Sequence, residues 1–170
     1  MKRISALKTL VTIAFILSVI VVVFGVPFTA MLAVADNLVP KGVKTNISAN
    51  HLVGIGAILY LLLTLGSIAL TALALRTFKE TLILFEKRVF FDVRVTTQLA
   101  KTGKAFVAAA VVNITAEIVG MLFAPIGPHI QVSFTYGPTL ILGGSGLLFL
   151  VLADVFTMAK NLKEENDLTV

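Results

Sequence analysis

The sequence predicts an all-α integral membrane protein, a four-helix bundle with both chain ends in the cytoplasm and helix two extended into the cytoplasm. Composition, run length and the placement of basic residues predict it. Hydrophobic residues make up 58% of the chain, charged residues only 14%, and the mean hydropathy is +1.01. Soluble domains carry about 25% charged residues. The apolar residues also fall in four long runs, which bilayer spans require and small soluble cores do not.

The runs cover residues 10–35, 52–75, 103–124 and 139–158. Each has about 20 residues or more, enough to cross a hydrocarbon core of ~30 Å at ~1.5 Å per residue. The basic residues then set the orientation. Lys2, Arg3 and Lys8 precede span one, seven Lys/Arg lie from Arg76 to Lys104, and Lys160 and Lys163 follow span four. The first loop holds only Lys41 and Lys44, and the third loop none. The positive-inside rule therefore predicts both termini and the middle segment in the cytoplasm, in a cell (plasma or inner) membrane. Placed beside spans, these cations explain the net charge of +5 through anionic lipid and topology, without direct nucleic-acid binding.

Span one has a rival reading. Lys2-Arg3, an apolar stretch and Ala33-Val34-Ala35 before Asp36 resemble a secretory signal with its cleavage site. A signal's apolar core is usually ~7–15 residues, and this stretch is longer, which favours a retained span. Cleavage would leave three spans with the remaining topology unchanged.

The middle segment, 76–102, carries a helical pattern. Leu75, Phe78, Leu82, Phe85 and Val89 recur at spacings of three and four among charged residues. That period predicts that helix two continues as an amphipathic extension, with Arg76 and Glu80 as an i,i+4 pair. Asp92 is placed to cap a new helix leading through Val95 and Leu99 into span three. The segment serves either topology alone or docking of a cytoplasmic partner.

Glu117 falls within span three, about seven residues from its outer end and so roughly 10 Å deep. An ionisable group there is costly and faces the bundle interior or a wet cavity. Asn113 and Gly120 share its helical face. Tyr60, Thr64, Ser67 and Thr71 form a polar stripe on span two, and Gly143, Gly144, Ser145 and Gly146 are expected at a similar level in span four. Gly25 and Pro27 can kink span one and free carbonyls. The group predicts a ligand or ion pocket of Glu117, Asn113, Tyr60, Thr64 and Ser145. The alternative is a protonated or hydrogen-bonded Glu117 that fixes packing through Tyr60 and Asn113.

Asp154, the second intramembrane acid, is expected to snorkel or to pair at the interface with Arg76, Lys101 or Lys104. The span-four glycines suit close helix contact rather than phosphate binding, because they lie inside an apolar segment. His51, His129 and Asp36 could form only a weak, unspecific metal site, and no metal or other cofactor is expected. Ala124-Pro125-Ile126-Gly127-Pro128 reads as a stiff turn. The chain has no cysteine, and no Ser-His-Asp set, HExxH helix or dinucleotide fingerprint. A non-enzymatic protein is expected.

Two stretches resemble the bacterial membrane proteins grouped as domain of unknown function 2975. One is Ala153-Asp154-Val155-Phe156, Leu162 and Glu165-Asn166-Asp167-Leu168-Thr169-Val170. The other is Phe91-Asp92, Val95, Leu99 and Gly103. The chain departs from the family in having Asp92 where Ser or Thr is frequent, and in lacking the Gly before that Phe. The resemblance implies a small plasma-membrane protein often encoded beside helix-turn-helix regulators. The expected function is action through a cytoplasmic regulatory protein in membrane or envelope signalling. The alternative is a small transporter or channel, formed as a homo-oligomer, that uses Glu117.

Overall fold

The computed structural model describes residues 2–34, 55–88, 92–122 and 136–168. Four helices follow one another: α1 (Lys2–Val34), α2 (Ile55–Glu86), α3 (Val93–Leu122) and α4 (Tyr136–Leu168). No strand occurs among the described residues. Each helix is long and apolar enough to span a bilayer, and the spanning candidates are Ile4–Gly25, Leu59–Glu86, Val93–Leu122 and Gly137–Asn166. The protein is therefore a multi-pass membrane protein, as its composition predicts.

The helices tolerate their polar residues because hydroxyls can bond back to their own helix. Thr12, Thr64, Thr71, Thr102 and Thr157 each donate to the carbonyl four residues earlier, at 2.8–2.9 Å. That satisfies the group where no water is available. The helix ends follow from local chemistry too. Asp92 accepts the Arg94 amide on Oδ1 at 2.8 Å, so it is the cap the sequence predicts for α3. Pro138 sits in the first turn of α4, where its missing N–H costs nothing. At the end of α2 the Arg88 amide donates to the Phe85 carbonyl, and Arg88 itself is left-handed with φ 58°. That closure normally takes a glycine. Pro27 lies inside α1 without ending it.

α3 is the centre of the bundle. It runs antiparallel to α2 and to α4, and α1 approaches the backbone of α2 alone among the described residues. α2 and α4 also meet through aromatic rings. Phe78 and Phe149 have centroids 4.7 Å apart, Phe85 and Phe156 5.7 Å, and Phe106 stacks on Phe149 from α3 at 5.8 Å. The buried Val95, Leu99 and Ala153 form a core against which Leu84, Phe85, Phe149, Leu152 and Phe156 pack. α1 is peripheral: Val11 is its only buried apolar residue among the described residues. At its start Lys8 Nζ meets Glu86 Oε2 at 2.7 Å, tying the chain's beginning to the end of α2.

The closest helix contact is made by glycine. A Cβ on Gly103 would lie 2.8 Å from the Gly146 carbonyl oxygen and 2.9 Å from the Leu150 amide nitrogen. A Cβ on Gly146 would meet the Val107 amide nitrogen at 2.8 Å and the Gly103 oxygen at 2.9 Å. Backbone cannot yield as a side chain can, so α3 and α4 approach this closely only because both positions lack a Cβ. A Cβ on Gly143 would stand 3.4 Å from the Ala110 Cβ, an ordinary contact, and one on Gly144 would face open space.

These contacts set the heights of the helices. Thr77 bonds Thr102 at 2.8 Å, Glu80 bonds Gln98 at 2.9 Å, and Leu99 packs with Ala153. The part of α2 beyond Leu75 is therefore flanked by α1, α3 and α4. On α4, Leu147, Leu148, Val151, Val155 and Met158 are exposed, with Asp154 and Thr157 among them. On α3 the residues at the same height include the exposed Arg94, Thr97, Lys101 and Lys104, and apart from Val93 at its start its large exposed apolar residues begin at Val111. The apolar belt is thus oblique, reaching further toward the α2–α3 turn on the α4 side. Spanning helices commonly tilt, by up to about 40°, which accommodates such a belt.

Asp36, His51, His129 and the turn 124–128 lie outside the described residues. Among the described residues no group of three or more His, Asp or Glu could hold a metal.

Two outcomes test this packing. Gly103→Ala and Gly146→Ala should each lower stability by about 1–3 kcal/mol, read as the unfolding midpoint in detergent micelles, while Gly144→Ala stays within about 0.5 kcal/mol. Arg88→Gly should raise stability by about 1 kcal/mol in the same assay, by relieving a left-handed non-glycine residue.

Candidate functional site

The polar residues of the half of the bundle away from the α2–α3 turn come from α2, α3 and α4, and the structure joins only some of them. Ser67 is 2% exposed and donates to the Ala109 carbonyl of α3 at 3.0 Å. Asn113 Nδ2 reaches Ser67 Oγ at 3.4 Å, and Thr139 Oγ1 donates to Asn113 Oδ1 at 3.2 Å. The chain Thr139–Asn113–Ser67–Ala109 thus links three helices. Asn113 lies near the middle of the apolar run 103–124, so these bonds form where an unmet polar group is most costly.

Glu117 stands outside this chain. Its Oε2 is buried and has no hydrogen-bond partner. Tyr60 lies against Gly120, where an added Cβ would come 3.0 Å from the ring. Thr64 spends its hydroxyl on the Tyr60 carbonyl at 2.8 Å. The interhelical fastening expected of Glu117 through Tyr60 and Asn113 is therefore made by Asn113, with Ser67 and Thr139. Thr139 carries no signal of its own in the sequence, because a threonine opening an apolar run reads as a helix start.

Ser145 is not at the level of Glu117. Gly146, beside it, abuts Gly103 and Val107, whereas Asn113 meets Thr139. That register puts Ser145 about 15 Å along α3 from Glu117 at ~1.5 Å per residue. Levelling the spans by their apolar ends misses this offset, which is about three turns of α4.

Asp154 is likewise placed differently. It is exposed on α4 and pairs with neither Arg76 nor Lys104. Arg76 Nε instead lies 3.7 Å from Glu80 Oε1, the i,i+4 pair the sequence predicts, with both groups largely in the open. Such a pair adds little stability. Lys104 is exposed on α3.

A second polar place lies at the other end of the α2–α3 hairpin. Glu80, Ile83, Leu84, Val93, Arg94, Thr97, Gln98 and Lys101 line an open groove of about 420 Å³. Gln98 Nε2 donates to Glu80 Oε2 at 2.9 Å, while Gln98 Oε1 is buried without a partner. The helical period of 76–89 hinted at a platform here. The groove needs α3 alongside it, and no single-helix pattern shows that.

Asn113→Ala should lower stability by about 0.6–2 kcal/mol by leaving Ser67 and Thr139 without their bridge. Glu117→Met should hold or raise stability, because it removes a buried oxygen that bonds nothing. Unfolding in micelles checks both, and a large loss on Glu117→Met would show that the carboxyl fastens the helices.

No curated protein and no solved structure matches this chain. The model of a protein family described as "Protein of unknown function (DUF2975)" matches residues 43–170, which takes in α2, α3 and α4. This protein belongs to that family.

Proposed function

We propose that this chain is a non-enzymatic protein of the plasma (inner) membrane that acts through a cytoplasmic regulatory partner, relaying a membrane or envelope signal. The observation that carries the reading is the exposed, cation-rich face of the α2–α3 hairpin, with Arg76, Lys87, Arg88, Arg94, Lys101 and Lys104. It is built directly on the core of Leu99, Val95 and Phe85, so the platform is rigid. The exposed α4 tail from Asn161 to Asn166 adds a second polar surface at the same end. In this reading both termini are cytoplasmic, following the excess of basic residues there.

A transporter or channel, assembled as a homo-oligomer, is the second reading, and one observation favours it. The buried, unpartnered Glu117 Oε2 is free to take a proton or a cation. The Asn113 network beside it is closed by its own hydrogen bonds, so any pathway would run between copies rather than through one bundle.

Site-specific photo-crosslinking in intact cells separates the two. A probe at Thr97 should give a protein adduct that disappears when Asn161–Val170 is deleted, while a probe at Ile118 gives none. Identical adducts with and without the tail would contradict the partner reading. For the second reading, wild-type cation or proton flux in proteoliposomes should be lost in Glu117→Gln, and absence of flux in the wild type would count against it.

A further inference from the structure

We propose that the groove between α2 and α3 binds the headgroup of an anionic phospholipid that carries both a phosphodiester and free hydroxyls, as phosphatidylglycerol does. Arg94, Gln98 and Lys101 fall at spacings of four and three, so they share one face of α3. Arg94 and Lys101 form no ion pair with any described residue, although Glu80 lines the same groove. Glu80 is already engaged by Gln98 and Arg76. The groove therefore has two chemically distinct parts: two uncommitted cations, and an acceptor edge made by Glu80 and the buried, unfilled Gln98 Oε1. A phosphodiester satisfies the cations and a hydroxyl donor satisfies the acceptor. A choline headgroup, which has the phosphodiester but no hydroxyl donor, would meet only one of the two needs.

The surroundings favour a lipid over a soluble ligand. At this height α4 exposes Val151 and Val155, and α1, levelled by Lys8 against Glu86, exposes Leu10 and Ile13. The groove thus opens on the α2–α3 side of a bundle whose flanks are still apolar, the depth at which headgroups meet acyl chains. Ile83, Leu84 and Val93 give it apolar walls against which the glycerol backbone can lie. Basic pockets at the membrane surface of a helical bundle are a general means of holding anionic headgroups. The inference needs only the membrane placement, so it stands or falls apart from any protein partner.

The test uses the full chain in neutral detergent, with native mass spectrometry and thermal unfolding during titration of single lipids. Phosphatidylglycerol should give a saturable one-lipid adduct and raise the melting temperature, and phosphatidylcholine should do neither. Arg94→Gln with Lys101→Gln, both exposed positions, should weaken the adduct about tenfold or more without altering the helical circular dichroism. Gln98→Leu should retain binding but lose the preference for phosphatidylglycerol over phosphatidic acid, which has the phosphate without the polyol. Equal binding of phosphatidylcholine, or undiminished binding in the double variant, would overturn the proposal. Inorganic phosphate or glycerol phosphate raising the melting temperature as much as the lipid does would overturn the lipid assignment in favour of a soluble anion.

Discussion

The backbone contact between Gly103 and Gly146 is the constraint on which the rest of the bundle depends. With lipid on all sides there is little hydrophobic drive to bring apolar helices together, so close packing and polar contacts must do it. Two glycines without Cβ atoms let α3 and α4 touch main chain to main chain. That approach brings Phe149 onto Phe106 and leaves room for Phe78 of α2 to meet the same ring. It also fixes the height of α4, so that Ala153 falls on Leu99 and Phe156 on Phe85. Separate the glycines and each of these aromatic contacts loses its partner.

The register imposed there has a second effect farther out. It brings Thr139 to Asn113, and through Asn113 to Ser67. Glycine packing thus joins α3 to α4 at one level, and hydrogen bonding joins both of them to α2 at another. Glu117, one turn beyond Asn113, is left with a buried oxygen that no neighbour satisfies. An unpaired buried acid costs stability and contributes none to the bundle. The transport reading starts from that oxygen.

Much of the fold was legible because bilayer spans are written in long apolar runs. Four helices, the Asp92 cap and the Arg76–Glu80 pair all follow from local patterns of three or four residues. Relative height was not legible. Aligning spans by their apolar ends put Ser145 beside Glu117 and Asp154 beside Arg76 and Lys104, and the glycine contact overrides that alignment. The role of Asn113 was half visible, since its type and depth marked it as helix glue, but its partner Thr139 depends on the register. The groove by Gln98 was least legible, because its lining is divided between two helices.

An oblique belt means that at one height the α3 side faces water and headgroups while the α4 side faces acyl chains. Thr97 and Val155 occupy that common height and are both exposed. The chain has no cysteine, so a single nitroxide can be attached at either position without background. Electron paramagnetic resonance in nanodiscs then measures collisions with a water-soluble nickel chelate against those with oxygen. With an oblique belt, the label at Thr97 meets the nickel chelate and the label at Val155 meets oxygen. Labels reporting the same medium at both positions would contradict it.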